Sequence, residues 1–376
     1  MNQNIVVLNR VGTVAKRKAS SPSWPSLAKR AFGNQGSGGD GADQPWERVL
    51  PARNVYAGDS PLASPAFISS PKTVRVVGAP MTLGQPLAGT DFGPELVREK
   101  GLVAGLAGLD WRVDDHGNLI LPTTAPGNAG LDASLGKAKN CVAVGEGNKV
   151  IYEHCLKSAN DSMFTLVVGG DHSIAVGTVA AALKARPDVG IVWVDAHADM
   201  NTPEISPSGN MHGMPLGLLM HLMDPTLIPG FEWLKDVPKL NPDQVSFIGL
   251  RDVDGGEARA IRSMGIQAFT MHHIDKYGIG AVVEKSLAHL DGRPIHMSYD
   301  IDAVDPVEAP STGTVVRGGL TFREAHYVAE AVSDSGNLVS MDIVEVNPQL
   351  SPGDGADMTA EMGLQLTLSA MGTRIL

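Results

Sequence analysis

The sequence predicts a single α/β domain in which a central parallel sheet is covered by helices on both faces, a three-layer α/β/α arrangement. Short β-branched apolar runs alternate along the chain with longer segments whose apolar spacing fits one-sided helices. This alternation is typical of parallel sheets, in which each strand is buried on both faces. The chain has 376 residues, 43% of them hydrophobic, and is long enough to bury such a core.

Six segments are predicted to be strands because they are β-branched, apolar and bounded by turn residues. They are residues 74–77, 165–168, 191–194, 245–248, 295–298 and 338–341. Four segments between them carry apolar residues at helical spacing, namely residues 176–186, 256–264, 279–290 and 322–333. The stretch 119–140 is rich in Pro, Gly and Ala, so we expect an irregular surface excursion there.

Charge divides the chain at its N-terminal end. Residues 1–39 carry six basic residues, several serines and no acidic residue, whereas the remainder holds 24 basic and 41 acidic residues. This start is typical of an organellar transit peptide, and a disordered basic tail without a targeting role is the alternative. Residues 40–72 are interpreted as a linker and residues 73–376 as the folded domain. The mitochondrial matrix is the expected location, with a plastid or the cytoplasm as alternatives.

Composition excludes several classes of partner. The acidic body argues against a nucleic-acid-binding face, and no apolar stretch is long enough to span a bilayer. The two cysteines, Cys141 and Cys155, form no Cys-x-x-Cys pair and are too few for a disulfide framework. The sequence therefore predicts a soluble protein of a reducing compartment, without nucleic-acid or membrane partners.

Three polar strings follow predicted strands. They are Gly169-Gly170-Asp171-His172-Ser173, Asp195-Ala196-His197-Ala198-Asp199 and Asp300-Ile301-Asp302. In extended backbone alternate side chains share a face, so the carboxylates and imidazole of the second string are expected to project to one side, as are both aspartates of the third. Charges half buried at strand ends are costly unless a metal binds there. Turn or helix-capping roles for the aspartates are the alternative.

The strings together offer four carboxylates and two histidines at the ends of three strands. Four anionic ligands can balance two divalent cations, and an oxygen-rich set with some imidazole suits Mn²⁺ better than a thiolate-preferring metal. In parallel sheets ligands gather beyond the carboxyl ends of the strands. The sequence therefore predicts a two-metal site that activates water.

These strings resemble the metal motifs of the ureohydrolase family, in which the arginase branch is the most similar. Four further segments agree with that branch in order and spacing: Asn201-Thr202-Pro203, Ser208-Gly209-Asn210-Met211-His212-Gly213, Gly249-Leu250-Arg251-Asp252-Val253-Asp254 and Glu345-Val346-Asn347-Pro348. The resemblance runs from about residue 74 to the C-terminus, and residues 1–70 take no part in it.

The resemblance implies two Mn²⁺ ions per subunit and a homo-oligomer, either a trimer or a hexamer. The implied ligands are His172, Asp195, Asp199 and Asp300 for one ion, and Asp195, His197, Asp300 and Asp302 for the other. The implied reaction is the hydrolysis of L-arginine to L-ornithine and urea. A hydroxide that bridges the two metals attacks the guanidinium carbon, because the metals lower the pKa of water from 15.7 towards about 7.

Three side chains have implied catalytic roles. Asp302 carries the proton that the leaving amine needs, and His212 relays protons to solvent because its unperturbed pKa of about 6.5 lies near the operating range. Glu345 anchors the guanidinium through two parallel N–H bonds. A loop histidine without a role and a surface glutamate are the alternatives for His212 and Glu345.

The α-amino acid end of the substrate has its own implied contacts. Neutral donors near the α-carboxylate are Asn201, Ser206, Ser208 and Asn210, the groups near the α-ammonium are Asp254 and Glu257, and Thr314 is a further substrate contact. A substrate without the carboxylate would leave buried donors unpaired at a cost of about 1–3 kcal/mol each, so agmatine is expected to be disfavoured. A simple polar turn is the alternative interpretation of these residues.

Other functions stay open at the level of sequence. An agmatinase or another guanidino-acid ureohydrolase is the alternative within the family, and a non-catalytic arginine-binding relative is the alternative outside catalysis. The second is disfavoured because every expected ligand is present, together with His212 and Glu345. A deacetylase-like zinc enzyme conflicts with the doubled acidic ligand set.

Overall fold

The predicted parallel α/β fold is confirmed by the computed structural model, which describes residues 67–70, 72–124 and 136–374. Eight strands form one sheet in the order β2-β1-β3-β8-β7-β4-β5-β6, and every neighbouring pair is parallel. The strands are β1 Thr73–Ala79, β2 Arg112–Asn118, β3 Phe164–Gly169, β4 Gly190–Val194, β5 Val245–Leu250, β6 Gln267–Thr270, β7 Ile295–Asp300 and β8 Leu338–Val344.

Ten α-helices pack on this sheet in the described part of the chain. They are α1 Gly93–Glu99, α2 Leu102–Gly108, α3 Cys141–Asn160, α4 Ala175–Ala185, α5 Pro215–Leu219, α6 Gly255–Met264, α7 Met271–Tyr277, α8 Ile279–His289, α9 Phe322–Asp334 and α10 Asp354–Ala370. Short 3₁₀ segments lie in several of the loops that follow strands. None of the described helices combines the length and apolarity needed to cross a membrane.

Two hydrophobic clusters fill the space between sheet and helices, one on each face. Successive strand residues point to opposite faces, so in β3 Leu166 joins the cluster under α1, α2, α8, α9 and α10, whereas Val167 joins the cluster under α3, α4 and α5. The central strands β3, β4, β5 and β7 are buried along their whole length. This burial on both faces explains why they are near-continuous apolar runs in the sequence.

The six predicted strands and four predicted helices are all present, and most strands extend one to three residues further. The unpredicted β2 and β6 lie at the two edges of the sheet. The sequence of β2, Arg-Val-Asp-Asp-His-Gly-Asn, is largely exposed or half-buried, and it lacks the apolar run that marks a central strand.

The longest missed helix is α3, which contains Gly145 and Gly147. Glycine in a helix interior lowers helix propensity, and for this reason the sequence pattern does not predict a helix here. The structure explains Gly145, because a Cβ there would lie 2.4 Å from the carbonyl oxygen of Gly230. The glycine permits a close approach between α3 and the loop before the 3₁₀ turn at Glu232–Asp236.

Residues 119–124 and 136–140, at the ends of the predicted excursion, contain neither helix nor strand. The predicted transit peptide and most of the predicted linker lie outside the described residues. At the end of that linker, Ile68 is buried and joins a core cluster. Packing onto the domain therefore begins a few residues before β1.

We expect Leu166→Ala to lower the free energy of unfolding by about 2–5 kcal/mol, because it leaves a cavity in the centre of the sheet. Leu166 is 0% exposed, whereas the control Leu227 is 51% exposed. Leu227→Ala should change stability by less than about 0.5 kcal/mol. Denaturant unfolding at one fixed protein concentration measures both variants, and equal losses would contradict this description of the core.

Candidate active site

The carboxyl ends of five adjacent strands, β3, β8, β7, β4 and β5, supply the polar side chains that meet at one edge of the sheet. These strand ends and the loops that follow them carry, in that spatial order, His172, Glu345, Asp300 with Asp302, Asp195 with His197 and Asp199, and Asp254. The three polar strings of the sequence are thus brought to one place.

The backbone that carries these side chains is not the extended strand that the sequence predicted. Strand β4 ends before Asp195, whose carboxylate accepts the N–H of His197 at 2.7 Å, and Asp199 has a positive φ of 48°. Strand β7 ends at Asp300, which caps a 3₁₀ turn by accepting the N–H of Asp302 at 2.8 Å. The ligands therefore converge through tight turns, and the expectation of alternating strand positions is wrong.

One cluster forms around the imidazole of His172. Its Nδ1 lies 3.0 Å from an oxygen of each of three carboxylates, those of Asp195, Asp199 and Asp300. All four side chains are buried. A single nitrogen thus faces three oxygens, and one N–H group could not donate well to all of them.

A second cluster forms around the half-buried imidazole of His197. Its Nδ1 lies 3.1 Å from an oxygen of Asp302 and 3.4 Å from Oδ1 of Asp195. The other oxygen of Asp195, Oδ2, is the one that faces His172. Asp195 therefore belongs to both clusters and joins them through its two oxygens.

The carboxylates of these clusters oppose each other's ionisation. Burial, together with the charge of Asp195, raises the pKa of Asp199 to about 6. Burial and the charge of Asp302 raise the pKa of Asp300 well above its usual value. Burial disfavours the charged form of His197, but Asp195 and Asp302 outweigh it and raise the pKa to about 12. The protein alone thus supplies too little positive charge for this site.

The clusters fit divalent metal ions. Nδ1 of His172 is buried and makes no well-directed hydrogen bond, although three oxygens surround it. Adjacent ligands of an octahedral ion bound at about 2.1 Å lie about 3.0 Å apart, the separation seen between this nitrogen and the oxygens. Oxygen and imidazole donors suit Mg²⁺, Mn²⁺ or other divalent ions of similar hardness. The residues present therefore fit a metal centre.

The ring of His172 is held from two further directions. It stacks on Trp193 with ring centroids 4.2 Å apart, and Trp193 Nε1 donates to Asp195 Oδ2 at 2.9 Å. On its other edge, Nε2 of His172 lies 2.9 Å from the hydroxyl oxygen of Ser298. These contacts orient Nδ1 towards the three carboxylates.

Glu345 lies beside this centre in a strained backbone conformation, with φ at 64°. Its Oε1 accepts the backbone N–H of His172 at 2.9 Å and lies 3.0 Å from Nδ1 of His212. Its Oε2 is buried and has no hydrogen-bond partner. A Cβ on Gly313 would lie 3.8 Å from Oε2, so Gly313 borders this oxygen.

The half-buried His212 and the buried Glu345 form an ion pair. Burial disfavours the charged imidazole, but Glu345 and the nearby charges of Asp199 and Asp171 raise the pKa of His212 to about 9. His212 is thus held in its protonated form near neutral pH.

Asn201, Asp254 and Glu257 form the floor of the predicted α-amino acid site. Asn201 Nδ2 donates to Asp254 Oδ2 at 3.0 Å, and its buried Oδ1 has no hydrogen-bond partner. Glu257 accepts the backbone N–H groups of Met200 and Asp254 at 2.8 and 3.0 Å, and burial raises its pKa to about 7. Glu257 therefore holds the Asn201 loop against the start of α6, and its substrate contact stays a prediction.

The remaining predicted substrate residues lie in two loops. Ser206 Oγ accepts the N–H of Gly209, and Ser208 Oγ accepts the N–H of Asn210. Thr314 Oγ1 donates to Asp302 Oδ2 at 2.8 Å, so this side chain contacts the metal-ligand cluster directly.

Three residues with a place at the site were not predicted. Lys139 Nζ lies 3.2 Å from Oδ1 of Asn210, so a cation borders the predicted α-carboxylate site. Arg251 donates to the backbone carbonyls of Ala303 and Val316 at 3.0 and 2.8 Å and thereby clamps the loop that carries Asp302.

The third is Gln85, whose buried Nε2 has no partner. A Cβ on Gly313 would lie 3.4 Å from its Oε1, so Gln85 borders the same space as Glu345. Arg251 lies in the segment 249–254, which resembles the family and therefore signals it, whereas Lys139 and Gln85 carry no local signal.

A parallel α/β/α fold with buried acidic and imidazole ligands at its strand ends defines a metal-dependent hydrolase. The model of the Arginase family matches residues 72–372, and the chain belongs to that family. The arginase of Glaciozyma antarctica (strain PI12) is 42% identical over 322 residues, which cover 84% of this chain and 92% of the relative.

Two further relatives agree. Arginase-1 of Rattus norvegicus is 39% identical over 312 residues, 81% of this chain and 94% of the relative. The native structure of arginase from Bacillus caldovelox at pH 5.6 superposes with a TM-score of 0.73 at 37% identity, covering 81% of this chain and 99% of the other. The sequence resemblance and the fold are thus confirmed together.

We expect the His212–Glu345 pair to stabilise the fold below pH 6.5 and to lose this effect as the pH rises through about 9. The sign follows because the folded-state pKa of His212 is raised above the unfolded value of about 6.5. The difference in unfolding free energy between the wild type and His212→Asn should therefore fall across that range. A constant difference from pH 6 to 10 would contradict the ion pair.

His221→Asn is the matched control, because burial lowers the pKa of His221. Its contribution should change with pH below about 6.5 and with the opposite sign. Denaturant unfolding at each pH measures both differences.

Proposed function

We propose that this protein hydrolyses L-arginine to L-ornithine and urea in a metal-dependent reaction. The observation that carries the proposal is the unpaired, buried Oε2 of Glu345 next to two ligand clusters that share Asp195. A carboxylate oxygen of this kind accepts N–H bonds from a guanidinium. The membership of the chain in the Arginase family agrees with this chemistry.

Two divalent cations, when bound, lower the pKa of water and so provide hydroxide near neutral pH. The residues of the chain do the rest. Glu345 holds the planar guanidinium through Oε2 while its Oε1 stays fixed by His172 N–H and His212. Binding a cation beside this carboxylate orients the guanidinium carbon towards the metal-ligand clusters.

Protons move through two side chains. Asp302 can accept a proton from the attacking water and deliver it to the leaving amine, because burial and the charge of Asp195 raise its pKa. His212 uses Nδ1 for Glu345, which leaves Nε2 free to exchange a proton with solvent. The side chain of His212 is 15% exposed, so a path to solvent is present.

The α-amino acid end of the substrate fits the Asn201 and Asp254 pair. The unpaired Oδ1 of Asn201 and the carboxylate of Asp254 are acceptors for an α-ammonium. The second N–H of the Asn201 amide, with the hydroxyls of Ser206 and Ser208, can donate to an α-carboxylate. Lys139 adds a positive charge on that side. These groups favour L-arginine over agmatine, which lacks the carboxylate.

The metal we propose is Mn²⁺, with two ions per subunit. The two clusters that share Asp195 support the count. The ligand set of carboxylates and imidazoles, without a thiolate, supports the identity.

A homo-oligomer, a trimer or a hexamer, is the assembly we propose. The membership of the chain in the Arginase family, for which the sequence resemblance implies such an assembly, supports it.

The mitochondrial matrix is the location we propose, on the strength of the basic, acid-free residues 1–39. A fusion of residues 1–60 to a fluorescent protein should colocalise with mitochondria. The same fusion with Lys16, Arg17 and Lys18 replaced by glutamine should lose that localisation. Diffuse fluorescence from the unaltered fusion would refute the targeting proposal, and a plastid signal would reassign it.

The activity is tested by urea release from equimolar L-arginine, agmatine and 4-guanidinobutyrate with Mn²⁺-loaded protein. We expect release mainly from L-arginine, and loss of release after EDTA treatment. A preference for agmatine would leave the metal chemistry and overturn the assignment of the α-amino acid site. Absence of urea from all three substrates would leave an arginine-binding protein.

Asn201→Ala sharpens this experiment. Loss of the amide should reduce the preference for L-arginine over agmatine by about 5- to 150-fold, the equivalent of about 1–3 kcal/mol for unpaired buried groups. Asn241→Ala is the matched control, because Asn241 is a surface residue that belongs to the capping box of the 3₁₀ turn before β5. An unchanged preference in Asn201→Ala would show that the α-amino acid end binds elsewhere.

A further inference from the structure

A buried carboxylate outside both ligand clusters lies in the middle of strand β8. Asp342 is 0% exposed, and neither the proposed metal binding nor the proposed chemistry uses it. Its Oδ1 accepts the hydroxyl of Ser298 at 2.6 Å, and its Oδ2 accepts the hydroxyl of Thr178 at 2.5 Å and lies 3.1 Å from Nε2 of His296. Burying a charge costs free energy, which indicates that this carboxylate and its three polar partners have a role beyond packing.

The pairing of β7 with β8 aligns these groups along one face of the sheet. His296 is opposite Ser340, and Ser298 is opposite Asp342. Alternate residues of a strand share a face, so both pairs point to the side covered by α4, which carries Thr178. The next alternate residue of β7 is the metal-ligand candidate Asp300.

The direction of every hydrogen bond in this row follows from the carboxylate. An ionised carboxylate only accepts, and the contact with His296 holds the pKa of Asp342 below its usual value despite burial. The Ser298 hydroxyl therefore donates to Asp342, and its oxygen is left to accept a hydrogen bond from Nε2–H of His172.

The consequence for His172 is a fixed tautomer. With the proton on Nε2, the lone pair of Nδ1 points at the three carboxylate oxygens, which is the form that a metal ion requires. Without an acceptor at Asp342, the Ser298 hydroxyl could rotate and donate to Nε2, which would place the proton on Nδ1 and block the metal.

His296 completes the row at its far end. Its Nδ1 lies 2.9 Å from the hydroxyl oxygen of Ser340, which can donate to it. That bond places the imidazole proton on Nε2, aimed at Asp342. The hydrogen bonds therefore form one row from Ser340 through His296, Asp342 and Ser298 to His172. Within this row, the acceptor Asp342 determines which atoms of the neighbouring groups carry protons.

We propose that Asp342, oriented by His296, is a positioning residue that sets His172 as a metal ligand through the hydroxyl of Ser298. The inference rests on the proposed metal dependence and extends it to residues that touch neither metal nor substrate. It assigns a role to a buried charge that a well-packed apolar residue could otherwise replace.

The test is equilibrium Mn²⁺ binding, measured by competition with a metal indicator, for the wild type, Asp342→Ala, Ser298→Ala and the double variant. We expect each single variant to weaken the binding of one Mn²⁺ by about 10- to 100-fold and to leave the other ion little changed. Because both residues act on His172 through one path, the double variant should be no weaker than Ser298→Ala.

Thr178→Val is the matched control, since Thr178 contacts the same carboxylate but lies off the path to His172. It should lower thermal stability and leave Mn²⁺ affinity close to that of the wild type. Unchanged affinity in Asp342→Ala, or losses that add fully in the double variant, would overturn the inference. A wild-type protein that binds no Mn²⁺ would instead refute the proposed function.

Neutron diffraction on crystals of the wild-type holoenzyme tests the same row if Asp342→Ala does not fold. We expect deuterium on Nε2 of His172, on the Ser298 hydroxyl in the direction of Asp342, and on Nε2 of His296. Deuterium on the Asp342 carboxylate, or a Ser298 hydroxyl that points away from Asp342, would overturn the inference.

Discussion

The concentration of buried negative charge at the strand ends is the constraint on which the rest of this structure depends. Asp195, Asp199, Asp300 and Asp302 lie together where water cannot screen them, and burial with mutual repulsion raises the pKa of three of them. Such a cluster is tolerated only where cations neutralise it. The sheet, the turns and the surrounding hydrogen bonds all serve to hold these carboxylates in place.

Rigidity comes from the apolar core and reaches the site through the backbone. Strands buried on both faces fix the starting points of the loops, and side-chain to backbone bonds fix the loops themselves. Asp195 and Asp300 hold their own turns, Glu257 joins two loops, and Arg251 holds the loop of Asp302. The positions of these side chains are thus determined by many short-range bonds on a buried scaffold.

The sequence was sufficient for the parallel sheet and for the acidic and imidazole side chains that meet at its strand ends, because long apolar runs and the strings around His172 and Asp195 are strong local signals. It could not predict the backbone of those strings, since a turn that Asp195 closes on itself looks like a strand in a pattern of alternating residues. Lys139 and Gln85 were missed for another reason. Tertiary folding brings them to the site from loops that are distant in sequence from the other site residues, so no local sequence pattern predicts them.

The pairing of His296 with Ser340 and of Ser298 with Asp342, between β7 and β8, ties metal binding to correct folding. A slip of one residue between these strands would turn Ser298 and Asp342 to opposite faces of the sheet and separate His172 from its hydrogen-bonded support. The same slip would remove Met341 and Ile343 from their apolar cluster and turn Asp342 towards it, so hydrophobic packing favours the same register. Weaker metal binding at His172 would therefore accompany such a slip, so that metal affinity would report the register of the central strands.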